Sequence, residues 1–241
     1  MSCRSNEKTH SARSSSRPDP SFHHAHYDPS TIDASIDRSL LSSVLTSHDI
    51  ASDNIWIFGF GSLLHTPGFE YSEKRSGYIR GWRRVWWQGS TDHRGTSEFP
   101  GRTVTLVEEE GAVTWGVAYK LSGGEAEQLA TLEYLEWREK QYDRRAYVRL
   151  YDGEGEGAEL VIDNELLCYV ATNSPRNPNF LGPPESLEAL ASQVVRAVGP
   201  SGKNSEYVLK LRDEVLRAGA GGSDVEELMA LGRLVEEKTG A

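Results

Sequence analysis

Apolar and polar residues change their rhythm near residue 53. Before it, residues 1–30 are Ser, His, Arg, Asp and Pro with almost no aliphatic side chain. Such a segment has too little apolar surface to offset the entropy of ordering itself. A short apolar pattern over 39–45 predicts at most a turn or two of helix docking loosely. From residue 54 the pattern is that of a folded domain. The run 56–60, Trp-Ile-Phe-Gly-Phe, reads as a strand by side-chain shape. Extended aromatic segments follow at 77–82 and 85–87, then at 103–107 and 113–119, the last two divided by an acidic Glu-Glu-Glu-Gly turn. Apolar spacing predicts a helix over 124–138, strands over 146–151 and 166–172, and helices over 185–198, 205–218 and 225–237. Consecutive strands joined by short turns, with helices inserted and appended, predict an antiparallel α+β domain over 54–241 rather than a doubly wound sheet. Residues 1–53 are expected to form a disordered Ser/His-rich tail.

Composition narrows the function classes. The 241 residues carry a formal charge of −10, which argues for solubility and against generic nucleic-acid binding. Arg80, Arg83 and Arg84 lie among Trp82, Trp86 and Trp87, a mixture that can mimic a nucleic-acid surface; in so acidic a chain the tryptophans are expected to fill a core instead. The two cysteines, Cys3 and Cys168, cannot build a disulfide framework or a cysteine zinc site, which suits a reducing cytosol. No run approaches the roughly 20 apolar residues of a membrane span, and the N-terminus lacks a signal peptide's apolar core. Arg4, Lys8, Arg13 and Arg17 among many serines leave organellar targeting open, although Glu7 and Asp19 oppose it. His23, His24 and His26 sit close enough to chelate a metal, but the expected reading is a disordered polar tail.

The stretch from Trp56 to Leu64 holds the first candidate chemistry. Gly59 and Gly61 remove side chains where something must approach the backbone closely. Successive amides at Gly61, Ser62 and Leu63 could form a donor nest for an anionic group. A dinucleotide fingerprint would need a third glycine and a helix opening at once, and a phosphate loop would need Gly-Lys-Ser/Thr. A nucleophile elbow would need Gly-x-Ser-x-Gly, which Phe60-Gly61-Ser62-Leu63-Leu64 does not supply. Ser62 also lacks a base, because adjacent Asp92 and His93 on a strand would point to opposite faces.

A carboxylate is the second candidate. Leu129, Leu132 and Leu135 share one side of the helix 124–138. If the helix persists, Glu139 lies about 20° from Leu132 and Glu136 about 40°. Periodicity does not choose between them, and a frayed helix end with both paired to Arg138, Lys140 or Arg144 is the competing reading. A buried glutamate with few partners has a raised pKa, the property of a general base near neutral pH.

Taken together, the motifs resemble those of a known family. Phe58-Gly59-Phe60-Gly61-Ser62-Leu63, Trp87-Gln88-Gly89-Ser90-Thr91-Asp92-His93-Arg94-Gly95, Pro100-Gly101-Arg102-Thr103-Val104-Thr105-Leu106 and Trp115-Gly116-Val117-Ala118-Tyr119 are four of them. Leu135-Glu136-Trp137-Arg138-Glu139-Lys140, the stretch from Tyr169 to Pro183, and Gly199-Pro200-Ser201-Gly202-Lys203-Asn204-Ser205-Glu206-Tyr207 follow in order. They closely resemble the ChaC family of glutathione-specific γ-glutamylcyclotransferases, with an ending after Glu139 closer to plant-type members. The resemblance implies a small closed antiparallel β-barrel with flanking helices. It implies cleavage of glutathione to 5-oxoproline and Cys-Gly, with no metal, no cofactor and no obligate protein partner. It makes Glu139 the general acid/base and Ile57, Phe58, Gly59, Phe60, Gly61 and Ser62 the γ-glutamyl-binding loop. Tyr207 matches a tyrosine that touches substrate in related cyclotransferases. Arg94 or Arg102 could meet the glycine carboxylate, unless they are structural. Three positions depart from the family pattern: Phe60 stands where many members carry Tyr, His65 where Trp is commoner, and Gln141-Tyr142-Asp143 where animal-type members have Gly-Gly-Tyr.

Overall fold

The computed structural model describes residues 54–153, 158–221 and 223–240. The expected tail, including the histidines at 23, 24 and 26 and the apolar pattern at 39–45, lies outside them. Strand β1 (Trp56–Gly59) runs into a 3₁₀ turn (Ser62–Leu64), and two long strands, β2 (Tyr71–Ser90) and β3 (Gly101–Leu121), form an antiparallel hairpin. Helix α1 (Glu125–Arg138) precedes β4 (Arg144–Val148), the short strands β5 (Tyr151–Asp152) and β6 (Glu159–Leu160), and β7 (Leu166–Val170). Helix α2 (Leu187–Arg196), a small ribbon of β8 (Val198–Gly199) and β9 (Gly202–Lys203), and helices α3 (Asn204–Arg217) and α4 (Ser223–Thr239) complete the chain.

The four aromatic segments expected between 77 and 119 are parts of two continuous strands. Register shifts between Arg80 and Trp82 and between Val85 and Gln88 bend β2 without ending it. The acidic run does not separate two strands. Arg80 faces Val113 and Trp82 faces Glu108, so residues 109–112 bulge out of register within β3. Exposure suits those charges, and Arg144 and Arg83 pair with Glu108 and Glu109 at 2.6 Å each.

The main sheet has the order β4-β7-β1-β3-β2-β5-β6. This corrects the expectation of a closed antiparallel barrel on two counts. The β1–β7 pair is parallel, with Ile57 opposite Leu167, and the ladder ends at β4 and β6, leaving an open half-barrel. The two strands that flank β1 are tied to each other by a side chain. Thr105 Oγ1 donates to the Ala171 carbonyl at 2.8 Å and accepts from the Ala171 amide at 2.9 Å. The α+β content stands as expected.

Ile57, Phe58, Ile79, Tyr119, Leu166 and Leu167 are buried in the core of the sheet, and Leu132 and Leu135 of α1 belong to the same cluster. Helices α2, α3 and α4 pack on one another through Leu190, Val194, Leu211, Leu228 and Leu231. Ser186 caps α2 by accepting from the Ala189 amide. Among the described residues no helix is long and apolar enough to cross a membrane.

Candidate active site

Strand alternation sorts the glycine turn. Phe58 and Phe60 line a cleft with Gly61, Ser62 and Leu63, whereas Ile57, one residue out of phase, is buried in the sheet against Tyr119 and Leu167. The glycines provide room rather than unusual dihedrals. A methyl group on Gly59 would lie 2.7 Å from Leu63 Cβ, and one on Gly61 would lie 3.1 Å from Val104 Cγ2 and 3.3 Å from the Tyr207 hydroxyl. The 3₁₀ turn closes through Leu64 N–H to Gly61 O and Thr66 N–H to Ser62 O. The amides of Gly61, Ser62 and Leu63 find no acceptor among the described residues, as expected where a helical turn begins. Three adjacent donors therefore stand at the cleft wall. Tyr119 anchors the turn from beneath, its hydroxyl donating to Leu63 O at 2.9 Å and Leu64 O at 3.2 Å.

The opposite wall is the end of α1. Glu136 and Glu139 are 7% and 9% exposed, so burial does not distinguish them. Their partners do. Glu136 forms a two-pronged pair with Arg145, whose Nε donates to Oε1 at 2.8 Å and whose Nη2 donates to Oε2. Glu139 has left the helix as its C-cap, with φ −96° and ψ 23°. Its carboxylate meets one cation, Arg138 Nε, at 3.3 Å. Burial raises the Glu139 pKa, Arg138 and Arg145 oppose that rise, and Glu136 adds to it.

The segment around Glu139 is firmly tied. Lys140 pairs with Asp92 at 3.1 Å, and the Gln141 amide donates to Asp92 Oδ1 at 2.7 Å. The Gln141 carbonyl accepts from Gln88, itself held by Asn177. Tyr142 donates to Val104 O at 2.9 Å, and Asp143 accepts from the Thr172 amide and the Thr172 and Ser174 hydroxyls. In this run Glu139 and Tyr142 line the cleft, and Glu139 is the carboxylate of the two.

Tyr142 and Tyr169 complete a narrow, partly enclosed cleft with a cavity volume of about 20 Å³. Sequence reasoning placed both within motifs but gave neither a role. The Tyr169 hydroxyl is buried and makes no well-aligned hydrogen bond, although it faces the Glu136 carboxylate. Alternation along β7 could have signalled its direction. Tyr207 lies behind the turn, its ring buried and its hydroxyl accepting from the Val104 amide at 3.4 Å. Arg94 donates to Lys203 O and pairs with Glu206 at 3.7 Å. Arg102 donates to Trp86 O, Gly182 O and Gln193 Oε1 at 2.7–2.9 Å. Neither arginine lines the cleft. Ser62 Oγ accepts from Arg138, while His93 contacts Ser201 and not Ser62.

A larger hollow, about 560 Å³ on the same measure, lies between Trp82, Trp87, Leu106 and Phe180. Arg144 and Glu108, the ionisable side chains among its lining, are bound to each other. Size alone does not make it the reactive site. Among the described residues no three of His, Cys, Asp and Glu gather as a metal-binding group.

The family model for ChaC-like proteins matches residues 55–238. The chain belongs to the ChaC-like family. Gamma-glutamylcyclotransferase 2-3 of Arabidopsis thaliana is 41% identical over 174 residues, covering 72% of this chain and 86% of that protein. Human glutathione-specific gamma-glutamylcyclotransferase 1 is 43% identical over 181 residues, covering 73% and 76%. A crystal structure of the yeast cyclotransferase specific to glutathione superposes with a TM-score of 0.65 at 28% identity, covering 77% of this chain and 96% of that one. The γ-glutamylcyclotransferase-like fold is thereby established for this member of the family.

Proposed function

We propose that this enzyme cleaves the γ-glutamyl bond of reduced glutathione by intramolecular cyclisation, releasing 5-oxoproline and Cys-Gly. The observation that carries the proposal is the cleft itself: a buried, sparingly paired carboxylate, Glu139, shares it with the three free amides of Gly61, Ser62 and Leu63. The names of the human and yeast relatives support glutathione as substrate.

The chemistry follows from these groups. The α-amine of the glutamyl moiety attacks its own γ-carbonyl, forming the lactam C–N bond as the C–N bond to the cysteinyl nitrogen breaks. In water that amine is mostly protonated at neutral pH, so a base must take a proton from it. As that nitrogen becomes the lactam N–H it gives up two protons: Glu139 carries one to the departing cysteinyl nitrogen, and the other passes to solvent or ends on the released Cys-Gly amine. The raised pKa of Glu139 makes it the stronger base and suits it to holding the proton between the two steps. The amides match an anionic oxygen of the glutamyl group, either its α-carboxylate or the oxyanion that develops at the γ-carbon. Phe58, Phe60, Tyr142 and Tyr169 shape a narrow space in which the amine can be held against its carbonyl, the entropic share of the barrier. Proton transfer and ring closure require no cofactor. Catalysis is assigned to residues 54–241, with 1–53 outside the catalytic unit. The cytosol, where thiols are kept reduced, is the compartment that fits the substrate.

The test is incubation of the wild type and Glu139→Gln with glutathione, γ-Glu-Ala and γ-Glu-ε-Lys, following 5-oxoproline. Production from glutathione, abolished in the variant, is the expected result. Turnover of the other substrates in preference would move the enzyme to a sister activity. No product from any of them, with folded protein in hand, would leave a catalytically silent fold.

A further inference from the structure

Arg138 grips both walls of the cleft at once. It is the last residue of α1, and its side chain is 12% exposed. Nη1 donates to Pro67 O at 2.7 Å; Nη2 donates to Thr66 O at 2.7 Å and to Ser62 Oγ at 3.2 Å. Nε lies 3.3 Å from Glu139 Oε1. Neighbouring residues on a helix do not face each other. Here they meet because the helix ends at Arg138, and Glu139 turns out of helical register. Gly68 makes room for the guanidinium: its φ is +72°, and a methyl group there would lie 2.7 Å from Nη1.

We propose that Arg138 is a positioning residue for the cyclisation, its guanidinium locking the three-amide turn in a fixed relation to the Glu139 carboxylate before substrate arrives. The proposal rests on Glu139 being the base and deepens that reading. The turn has two side-chain anchors, the Tyr119 hydroxyl on the β3 side and Arg138 on the α1 side. Only the second also contacts the base. A planar fork reaches several oxygens in fixed directions, whereas an ammonium on a flexible stem does not. Arg138 accordingly sets distance and angle, the quantities on which an intramolecular attack depends.

The groups facing Glu139 define the electrostatic consequence. They are Arg138 and Glu136 from α1, Arg145 from β4, Tyr142, Cys168 and Tyr169 from β7, and Tyr207 from α3. Arg145 is engaged by Glu136. Removing the Arg138 charge therefore leaves burial less opposed, and Glu139 ionises at higher pH.

The experiment compares wild type, Arg138→Lys and Arg138→Gln by pH-dependent kinetics on glutathione and by amide hydrogen exchange. Arg138→Lys is expected to raise KM about tenfold or more through the loosened turn, with a smaller loss in kcat. Amides 64–66, the hydrogen-bonded ones of the turn, should exchange faster in it, while those of β7 keep wild-type rates. Arg138→Gln should in addition move the acid limb of kcat/KM to higher pH, further than the lysine variant does. Should the glutamine variant fail to fold, Arg138→Lys and Ser62→Ala carry the test. Unchanged exchange at 64–66 would overturn the proposal. So would activity falling only with the folded fraction, at constant KM and constant acid limb. If the wild type made no 5-oxoproline, the proposed function would fall by itself. The exchange data would still decide whether Arg138 holds the turn.

Discussion

Exchanging Glu139 and Glu136 for glutamine, one at a time, should separate catalysis from stability within one helical turn. The two carboxylates are equally buried, but only Glu136 has a strong partner. In Glu136→Gln the Arg145 guanidinium keeps one acceptor and loses its counter-charge. Removing one side of a buried pair costs about 3–5 kcal/mol, reduced here toward 2–3 because the amide oxygen still accepts. For a domain of this size that lowers the melting temperature by about 4–12 °C. Catalysis should fall less than about tenfold, because the proton carrier is intact. Glu139→Gln should do the reverse, lowering kcat by about 10²–10⁴ with the fold unharmed. Its effect on stability has a definite sign. The folded pKa of Glu139 lies above the unfolded one, so ionisation at neutral pH opposes folding. That penalty is absent below the unfolded pKa, grows as pH rises, and levels off above the folded pKa. The neutral variant should therefore melt no lower than wild type near neutrality, with any advantage vanishing in acid. Thermal melts across pH, together with chromatographic assay of 5-oxoproline, measure both halves. Equal kinetic losses at the two sites with unchanged melting temperatures would refute the assignment of the base.

Three further outcomes follow from the same contacts. Gly61→Val should crowd Val104 and Tyr207, raising KM for glutathione at least about tenfold and costing about 1–3 kcal/mol of stability; an unchanged KM would remove the turn from the binding site. Arg102→Lys leaves three buried acceptors without their fork, so the melting temperature should drop by roughly 5–10 °C with KM within about twofold. A raised KM at constant melting temperature would instead make Arg102 a substrate ligand. Burial pushes the Asp143 pKa up, but hydrogen bonds from Ser174 and Thr172 outweigh it and leave the folded value low. Asp143→Asn should therefore be less stable than wild type above about pH 5, and the gap should close as pH falls through the folded pKa. A gap independent of pH in thermal melts would contradict that linkage.

The sequence made the strand and its glycine turn legible because shape and space act locally. Aromatic residues at 56, 58 and 60 want a pleated surface, and Gly59 answers to Leu63, four residues on; Gly61 makes room for Val104 and Tyr207, which are distant in sequence. What ties β3 to the segment after β7 is not local. Thr105 and Ala171 are separated by 66 residues, and a threonine reads as an ordinary strand former in either a closed or an open sheet. Local composition also misled at Glu108–Glu110. Consecutive charges read as a turn, yet an exposed strand can carry them when arginines from β2 and β4 lie opposite.

The proposed catalytic carboxylate shows a subtler limit. Helical periodicity pointed both Glu136 and Glu139 inward, and both are inward, but Glu139 arrives there by a different route. An uninterrupted helix would have carried it along the leucine stripe; instead the helix stops one residue earlier, and the cap conformation swings the carboxylate toward Arg138 and the turn. The inward direction was thus correct without the reason being so. The feature that decides between the two residues, Arg145, lies nine residues beyond Glu136 on another element, where no repeat in the sequence connects them. Burial by itself makes a carboxylate a candidate base. A base results only where the fold withholds the partner that would quench it, and that withholding is a property of β4 and its register against β7 rather than of the helix that bears the glutamates.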